Sequence, residues 1–144
     1  MTTAPHSGLS RSDSLYSVSV AATQGADFDP LVREFLDTFY VASSSDRQAS
    51  LRSEPGLLSP VKDAYLGAIA EHLALRFGLE TPMWANAPRR FLAEPFFAGG
   101  MESLKPLLLV ESPLAFRRRL IFISQNALSR PRDPEIKLSP EYQG

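Results

Sequence analysis

Ser59-Pro60 and Gly78 bracket the one stretch of this chain whose fold its residues nearly dictate. A serine before a helix can accept from orphan N–H groups, and a proline in the first turn lacks only a donor that would go unused. Glycine is the residue best suited to the left-handed position that closes a helix. Between them Val61, Tyr65, Ile69, Leu73 and Phe77 recur every four residues, widened by Leu66 and Ala68, so the spacing predicts a central core helix over Pro60–Phe77. Gly67 inside it costs about 1 kcal/mol relative to alanine, which predicts that another helix approaches closely there.

Other helices are read around this one. Asp29-Pro30 repeats the cap-and-proline signature, and Leu31, Phe35 and Phe39, flanked by Val32, Leu36 and Tyr40, predict a helix to about Val41 with a broad buried face. Ser44, Ser45 and Asp46 offer a cap for a short polar helix or turn over Arg47–Ser53, anchored by Leu51 alone. Pro82, Pro88 and Pro95 limit the Glu80–Gly100 stretch to single turns, pinned to the core by Met83, Trp84, Phe91, Leu92, Phe96 and Phe97. Helical character resumes over Met101–Val110 with a kink or early turn at Pro106, and again from Ser112-Pro113 through Arg119. Leu120–Ile123 is short and β-branched, and periodicity leaves strand and helix both open. Ser124 is read as capping a last turn through Leu128.

The expected architecture is all-α, a small irregular bundle of about four to five helices. Residues 1–26 are read as a flexible N-terminal tail, rich in Ser, Thr, Ala and Gly, with a weak alternation at Leu15, Tyr16, Val18 and Val20. Residues 27–130 form the helical domain, and residues 131–144, with Pro131, Pro134 and Pro140, are read as a second flexible tail. About 100 residues suffice to bury somewhat over ~60% of the surface that the unfolded domain exposes.

Composition narrows function by exclusion. Fifteen Lys and Arg against sixteen Asp and Glu give a formal charge of −1, so no global field draws the chain to nucleic acid or anionic lipid. The absence of cysteine removes disulfides, zinc thiolates, iron–sulfur clusters and thiol nucleophiles. The longest apolar run, Pro106–Val110, is far too short to cross a bilayer. Met1–Ser19 has no basic segment leading into an apolar one, so no secretory signal is read and the cytoplasm is the expected location.

Catalytic constellations are equally sparse. His6 lies in the expected tail, and His72, beside Glu71 on the central helix, has no ligand-type residue three or four positions away. It is read as a structural histidine. Asp63 and Glu71 lie two turns apart, so paired-carboxylate chemistry would need a partner from elsewhere. Gly99-Gly100 follows an aromatic pair and lacks the GK[ST] of a phosphate loop, and no serine sits in G-x-S-x-G. The expectation is therefore no catalytic residue, metal or cofactor.

What stands out is arginine and aromatic density: Trp84, Arg89 and Arg90 in the connector, then Arg117, Arg118 and Arg119. Three consecutive helical residues span about 200°, so at least one arginine should turn inward, toward a buried carboxylate such as Glu111 or Glu94. These six residues are the candidate partner-binding set. A protein partner is favoured over nucleic acid, with an enzyme built on Glu71 and His72 a distant third.

The segment Glu111-Ser112-Pro113-Leu114-Ala115-Phe116-Arg117-Arg118-Arg119-Leu120-Ile121-Phe122-Ile123, with Asp63-Ala64-Tyr65-Leu66 through Ala70-Glu71-His72-Leu73, resembles a loosely defined group of uncharacterised bacterial small helical proteins. Trp84, Arg90-Phe91-Leu92 and Pro95-Phe96-Phe97 look like that group's spacer, and the resemblance spans roughly Val61 to Leu128. Members are linked with toxin–antitoxin pairs whose toxin is nucleotidyltransferase-like. The resemblance thus implies an antitoxin-like inhibitor or accessory subunit, with the shared segments forming its core and partner face. No helix-turn-helix reader precedes them.

Overall fold

A computed structural model describes residues 13–99, 104–124 and 126–134. Among these the chain is mostly helical, as expected: α1 (Leu15–Thr23), α2 (Phe28–Tyr40), α3 (Ser44–Arg52), α4 (Pro60–Phe77), α5 (Lys105–Glu111) and α6 (Leu114–Arg117). Two 3-10 turns, Met83–Asn86 and Pro88–Arg90, fill the proline-rich connector. Phe96–Phe97 (β1) and Ile121–Phe122 (β2) pair in parallel, Phe96 opposite Ile121 and Phe97 opposite Phe122.

α4 occupies the predicted span, with Pro60 in the first turn and Gly78 left-handed at φ 67°. It is buried on more than the predicted stripe. Asp63, Ala64, Leu66, Gly67, Ala68, Ile69, Ala70, Glu71, Leu73 and Ala74 are all inaccessible or nearly so, because α6 and both 3-10 turns pack on it. The other elements are arranged around this axis. α2 starts at Phe28, slightly ahead of the predicted Asp29-Pro30 cap, and buries the predicted face of Leu31, Val32, Phe35, Leu36, Phe39 and Tyr40. α3 is capped by Ser43, whose hydroxyl accepts from the Asp46 N–H at 3.2 Å.

The expectation of a flexible 1–26 segment fails over residues 15–23. Ser14 and Ser17 form a reciprocal capping box, each hydroxyl accepting from the other's N–H at 3.0 and 3.1 Å. Leu15 and Val18 are fully buried, Ser19 nearly so, and Ala22 packs beside them. That is the i, i+3, i+4, i+7 face of a helix. Two of its four positions are small, so it does not stand out as an apolar stripe. Ser19 also anchors α1 to the α3–α4 connection, its hydroxyl accepting from Gly56 N–H at 2.9 Å. Residues 1–12, including His6, lie outside the described residues.

At the other end, Pro131–Pro134 is not free either. Asp133 is buried and accepts from both terminal nitrogens of Arg76, at 3.0 and 2.8 Å. Arg130 donates to Asp37 through Nε and Nη2 at 2.8 and 3.2 Å. Residues 135–144 of the expected second tail lie outside the described residues.

The open choice at Leu120–Ile123 resolves as strand. A tight turn delivers it: Leu120 takes φ 63°, left-handed although not glycine. Its carbonyl accepts from Phe96 N–H at 2.9 Å, and Phe122's from Ala98 N–H at 3.0 Å. The Phe97 and Phe122 rings stack at 4.9 Å across the pair.

Candidate functional site

Five of the six candidate residues, Arg117 excepted, are drawn toward the core and its flanking carboxylates. Arg90 and Arg119 are both fully buried and approach α4 from opposite elements at Gly67. A Cβ on Gly67 would meet the Arg90 Cβ at 3.0 Å, the Arg119 Nε at 3.2 Å and the Ala85 carbonyl at 3.4 Å. The glycine does accommodate close approach, but of two arginine side chains and a 3-10 turn, where another helix was expected.

Glu71 holds one pair of guanidiniums. Its two carboxylate oxygens each accept at 2.5 Å, one from Arg118 Nη1 and one from Arg119 Nη1. Arg119 also donates to the carbonyls of Ala115 at 2.9 Å and Ala85 at 2.6 Å, so it staples α6 to the first 3-10 turn. Burial pulls the Arg119 guanidinium below its ordinary pKa, and the hydrogen bond and charge of Glu71 oppose the shift. An inward arginine was expected from the Arg117–Arg119 run, with Glu111 or Glu94 as its partner. The carboxylate is instead Glu71, because α6 lies along α4.

Glu54 holds the second pair. Its Oε2 accepts from Arg89 Nε at 3.1 Å and Nη2 at 2.5 Å, and from Arg90 Nη2 at 3.1 Å. Burial alone would raise the Glu54 carboxyl's pKa, but the hydrogen bonds and charges of Arg89 and Arg90 bring it below its ordinary value. Arg90 donates further to the carbonyls of Pro55 at 2.6 Å and Asp63 at 3.3 Å. Its guanidinium lies 5.0 Å from the Trp84 ring, and that of Arg119 lies 4.4 Å from Phe91. The Nε groups of both arginines are buried without a hydrogen-bond partner, and the ring faces offer the two cations a compensating attraction. Trp84 is itself tied inward, donating through Nε1 to the Leu51 carbonyl at 2.9 Å.

Arg90 and Arg119 cannot touch a partner, since both are wholly enclosed. Arg89 and Arg118 reach solvent only in part, 49% and 41% exposed, and each shares a carboxylate with a buried arginine. Arg117 alone of the run is exposed with no ion pair among the described residues. The cation density of the sequence is thus mostly spent on holding irregular backbone.

The remaining chemical candidates are equally accounted for. Glu71 is committed to its two arginines, and His72 sets its ring edge-on against Phe116 at 6.1 Å. No group of three or more His, Cys, Asp or Glu side chains among the described residues is placed to hold a metal ion. No helix there is long and apolar enough to cross a membrane.

A surface not singled out from the sequence lies on α5 and the start of α6. Leu104, Leu107, Leu109, Val110 and Leu114 are 41, 52, 46, 75 and 56% exposed. On α5 only Leu108 is buried. Leu107 and Val110 lie one turn apart on α5, and Leu114 opens α6 after the extended Ser112-Pro113 break. The platform is firm beneath them: the buried Ser112 hydroxyl donates to the Leu108 carbonyl at 2.5 Å and accepts from Ile123 N–H at 2.8 Å. In the sequence, Leu107-Leu108-Leu109-Val110 carries no polar residue to tell outside from inside.

No protein-family model, curated protein or solved structure matches this chain.

Proposed function

We propose that this chain is a non-enzymatic protein-interaction module that receives an amphipathic helix of another protein on the α5–α6 surface. The exposed apolar patch of Leu104, Leu107, Leu109, Val110 and Leu114 carries this reading. Its five apolar side chains present on the order of 500 Å², the size of the largest patch on an ordinary monomer and one that is often functional. That is less than the roughly 800 Å² per partner of a standard interface, so a single helix laid along the stripe fits it better than a second copy of the whole chain. Leu107 and Val110, three apart on α5, have a spacing by which helices anchor in one another. Arg117, exposed and one turn beyond Leu114 on the same flank, favours an acidic residue at that end of the partner helix. An antitoxin-like inhibitor or accessory subunit, as the Glu111–Ile123 segment suggests, is one form such a module takes.

Affinity capture of the tagged full-length chain from its native host, with and without nuclease, tests the reading beside the variant Leu107→Glu/Val110→Glu. Both positions face solvent, so the variant should keep the helical circular dichroism of the parent. A nuclease-indifferent stoichiometric partner, captured by the parent and lost by the variant, is the expected result. An identical set of captured proteins from both would overturn it. So would a parent that is itself a dimer and a variant that is a monomer, since the stripe would then join two copies.

Nucleic acid is disfavoured by the pairing of Arg89, Arg90, Arg118 and Arg119 with Glu54 and Glu71. Phosphate would have to compete with two carboxylates already in place.

A further inference from the structure

A cleft of about 430 Å³ opens between the first turns of α2 and those of α4, away from the α5 stripe. Its apolar wall is supplied by Phe28, Val32, Leu36, Val61, Tyr65 and Phe96. Val32 and Leu36 are 6% and 1% exposed, so this floor belongs to the packed core and is preformed. The volume falls within the range of small-molecule sites and matches a body of one or two rings.

The polar groups of the lining are mainly cationic. Arg33 and Lys62 stand at its exposed edge, from α2 and α4 respectively, and Arg130 closes another side. Lys62 holds its ammonium 5.6 Å from the centre of the Phe28 ring, over the apolar wall. Arg130 uses Nε and Nη2 for Asp37, which leaves Nη1 outside that bridge. Asp29 is the single carboxylate in the lining.

Tyr65 adds a hydroxyl. Its ring is clamped edge-on by Phe28 at 6.0 Å and Phe116 at 5.2 Å, and among the described residues its oxygen makes no hydrogen bond. Burial, and secondarily the charge of Asp29, push the phenol up to about 12, so it remains a neutral donor beside the cations. Donors that line a cleft with an apolar floor suit a ligand with one anionic end.

We propose that the cleft between α2 and α4 binds a small amphipathic monoanion, its ring-sized apolar body on Val32, Leu36 and Val61 and its carboxylate facing Arg33, Lys62 and the Tyr65 hydroxyl. This is independent of the helix-docking reading, since none of its residues lies on α5 or α6.

The test titrates 2-naphthoate into the full-length chain, followed by amide chemical shifts, with naphthalene and acetate as probes lacking the head and the body. Saturable one-to-one binding of 2-naphthoate, with shifts centred on Val32, Lys62 and Tyr65, is expected. Arg33→Gln/Lys62→Gln, both at exposed positions, should weaken it about tenfold, the loss of two charge-assisted contacts at a partly solvated edge. Val61→Trp, which fills the cleft, should abolish it. Should the tryptophan variant not fold, the glutamine pair still decides. The proposal is overturned by absence of saturable binding at millimolar probe, by equal affinity for naphthalene or acetate, or by indifference to the glutamine pair. Binding that Leu107→Glu/Val110→Glu removes would also overturn it, by placing the probe on the α5 stripe.

Discussion

Replacing Glu71 by glutamine removes one charge while keeping nearly the same shape, and so isolates what the carboxylate does for the two arginines above it. The Arg119 side chain is fully enclosed and Glu71 is 11% exposed. Removing one member of such a buried pair typically costs about 3–5 kcal/mol, because the other charge is left without compensation. Arg118 is 41% exposed, and water screens its share to within about 1 kcal/mol. The amide oxygen still accepts from one guanidinium, whereas the amide NH2 confronts the other as donor against donor. The lower end of the range is therefore expected, about 3 kcal/mol. With an m value near 2 kcal/mol/M, the urea midpoint falls by about 1.5 M, and at this chain length the Tm falls by about 10 °C. Arg119→Met completes a double-mutant cycle. It also orphans the Ala85 and Ala115 carbonyls, so its own cost exceeds the ion pair's. A loss below about 1 kcal/mol for Glu71→Gln, or coupling with Arg119→Met below about 0.5 kcal/mol, would refute the role assigned to Glu71.

Four further outcomes are expected. Leu15→Ala should destabilise the chain by about 2–4 kcal/mol in urea unfolding, as for any fully buried leucine; a neutral result would mean that α1 is not part of the cooperative core. Leu120→Val should cost about 1–2 kcal/mol in the same assay, because a β-branched side chain suits φ 63° less well than leucine does, and equal stability would remove the strained turn. Tyr65 has its folded pKa raised to about 12 from an ordinary 10.0, so the folded state holds a proton that the unfolded chain releases. Its stability is intact below pH 10 and declines as pH rises toward 12, and Tyr65→Phe should flatten that decline while removing one late-titrating phenol from the tyrosinate absorbance curve. At the acid end Glu54, with its pKa held low, contributes stability that is lost as pH falls below the ordinary carboxylate range.

The parts of the fold that could be read in advance were those with local punctuation. α4 has a serine, a proline and a glycine at its ends and an apolar residue every fourth position, and it occupies the span those marks indicate. α1 has no such stripe, because Ser19 and Ala22 complete its buried face without being strongly apolar. The buried arginines were half legible. The angular spread of Arg117–Arg119 requires one to turn inward, but only the path of α6 along α4 selects Arg119, and selects Glu71 over Glu111 or Glu94. Arg90 gave no comparable signal, since arginine is rarely enclosed. Gly67 was the available clue, a missing side chain in the middle of the best helix. The α5 stripe was hidden for the opposite reason: its sequence is apolar at every position from Leu107 to Val110, and only packing shows that Leu108 alone turns in.

Arg90 and Arg119 together reach the carbonyls of Pro55 and Ala85 in irregular connections and those of Asp63 in α4 and Ala115 in α6, so two side chains tie two irregular connections to the helices beside them. What these connections must conserve is their length and path, not their side chains. A one-residue insertion near Ala85 or Pro55 should therefore do more harm than most substitutions at the same places. A lysine in place of either arginine would bring one ammonium where a planar fork spans acceptors on separate segments. Divergent versions of this fold would be recognised by two arginines, a glycine and a glutamate in fixed relation, long after the rest of their sequences had ceased to align.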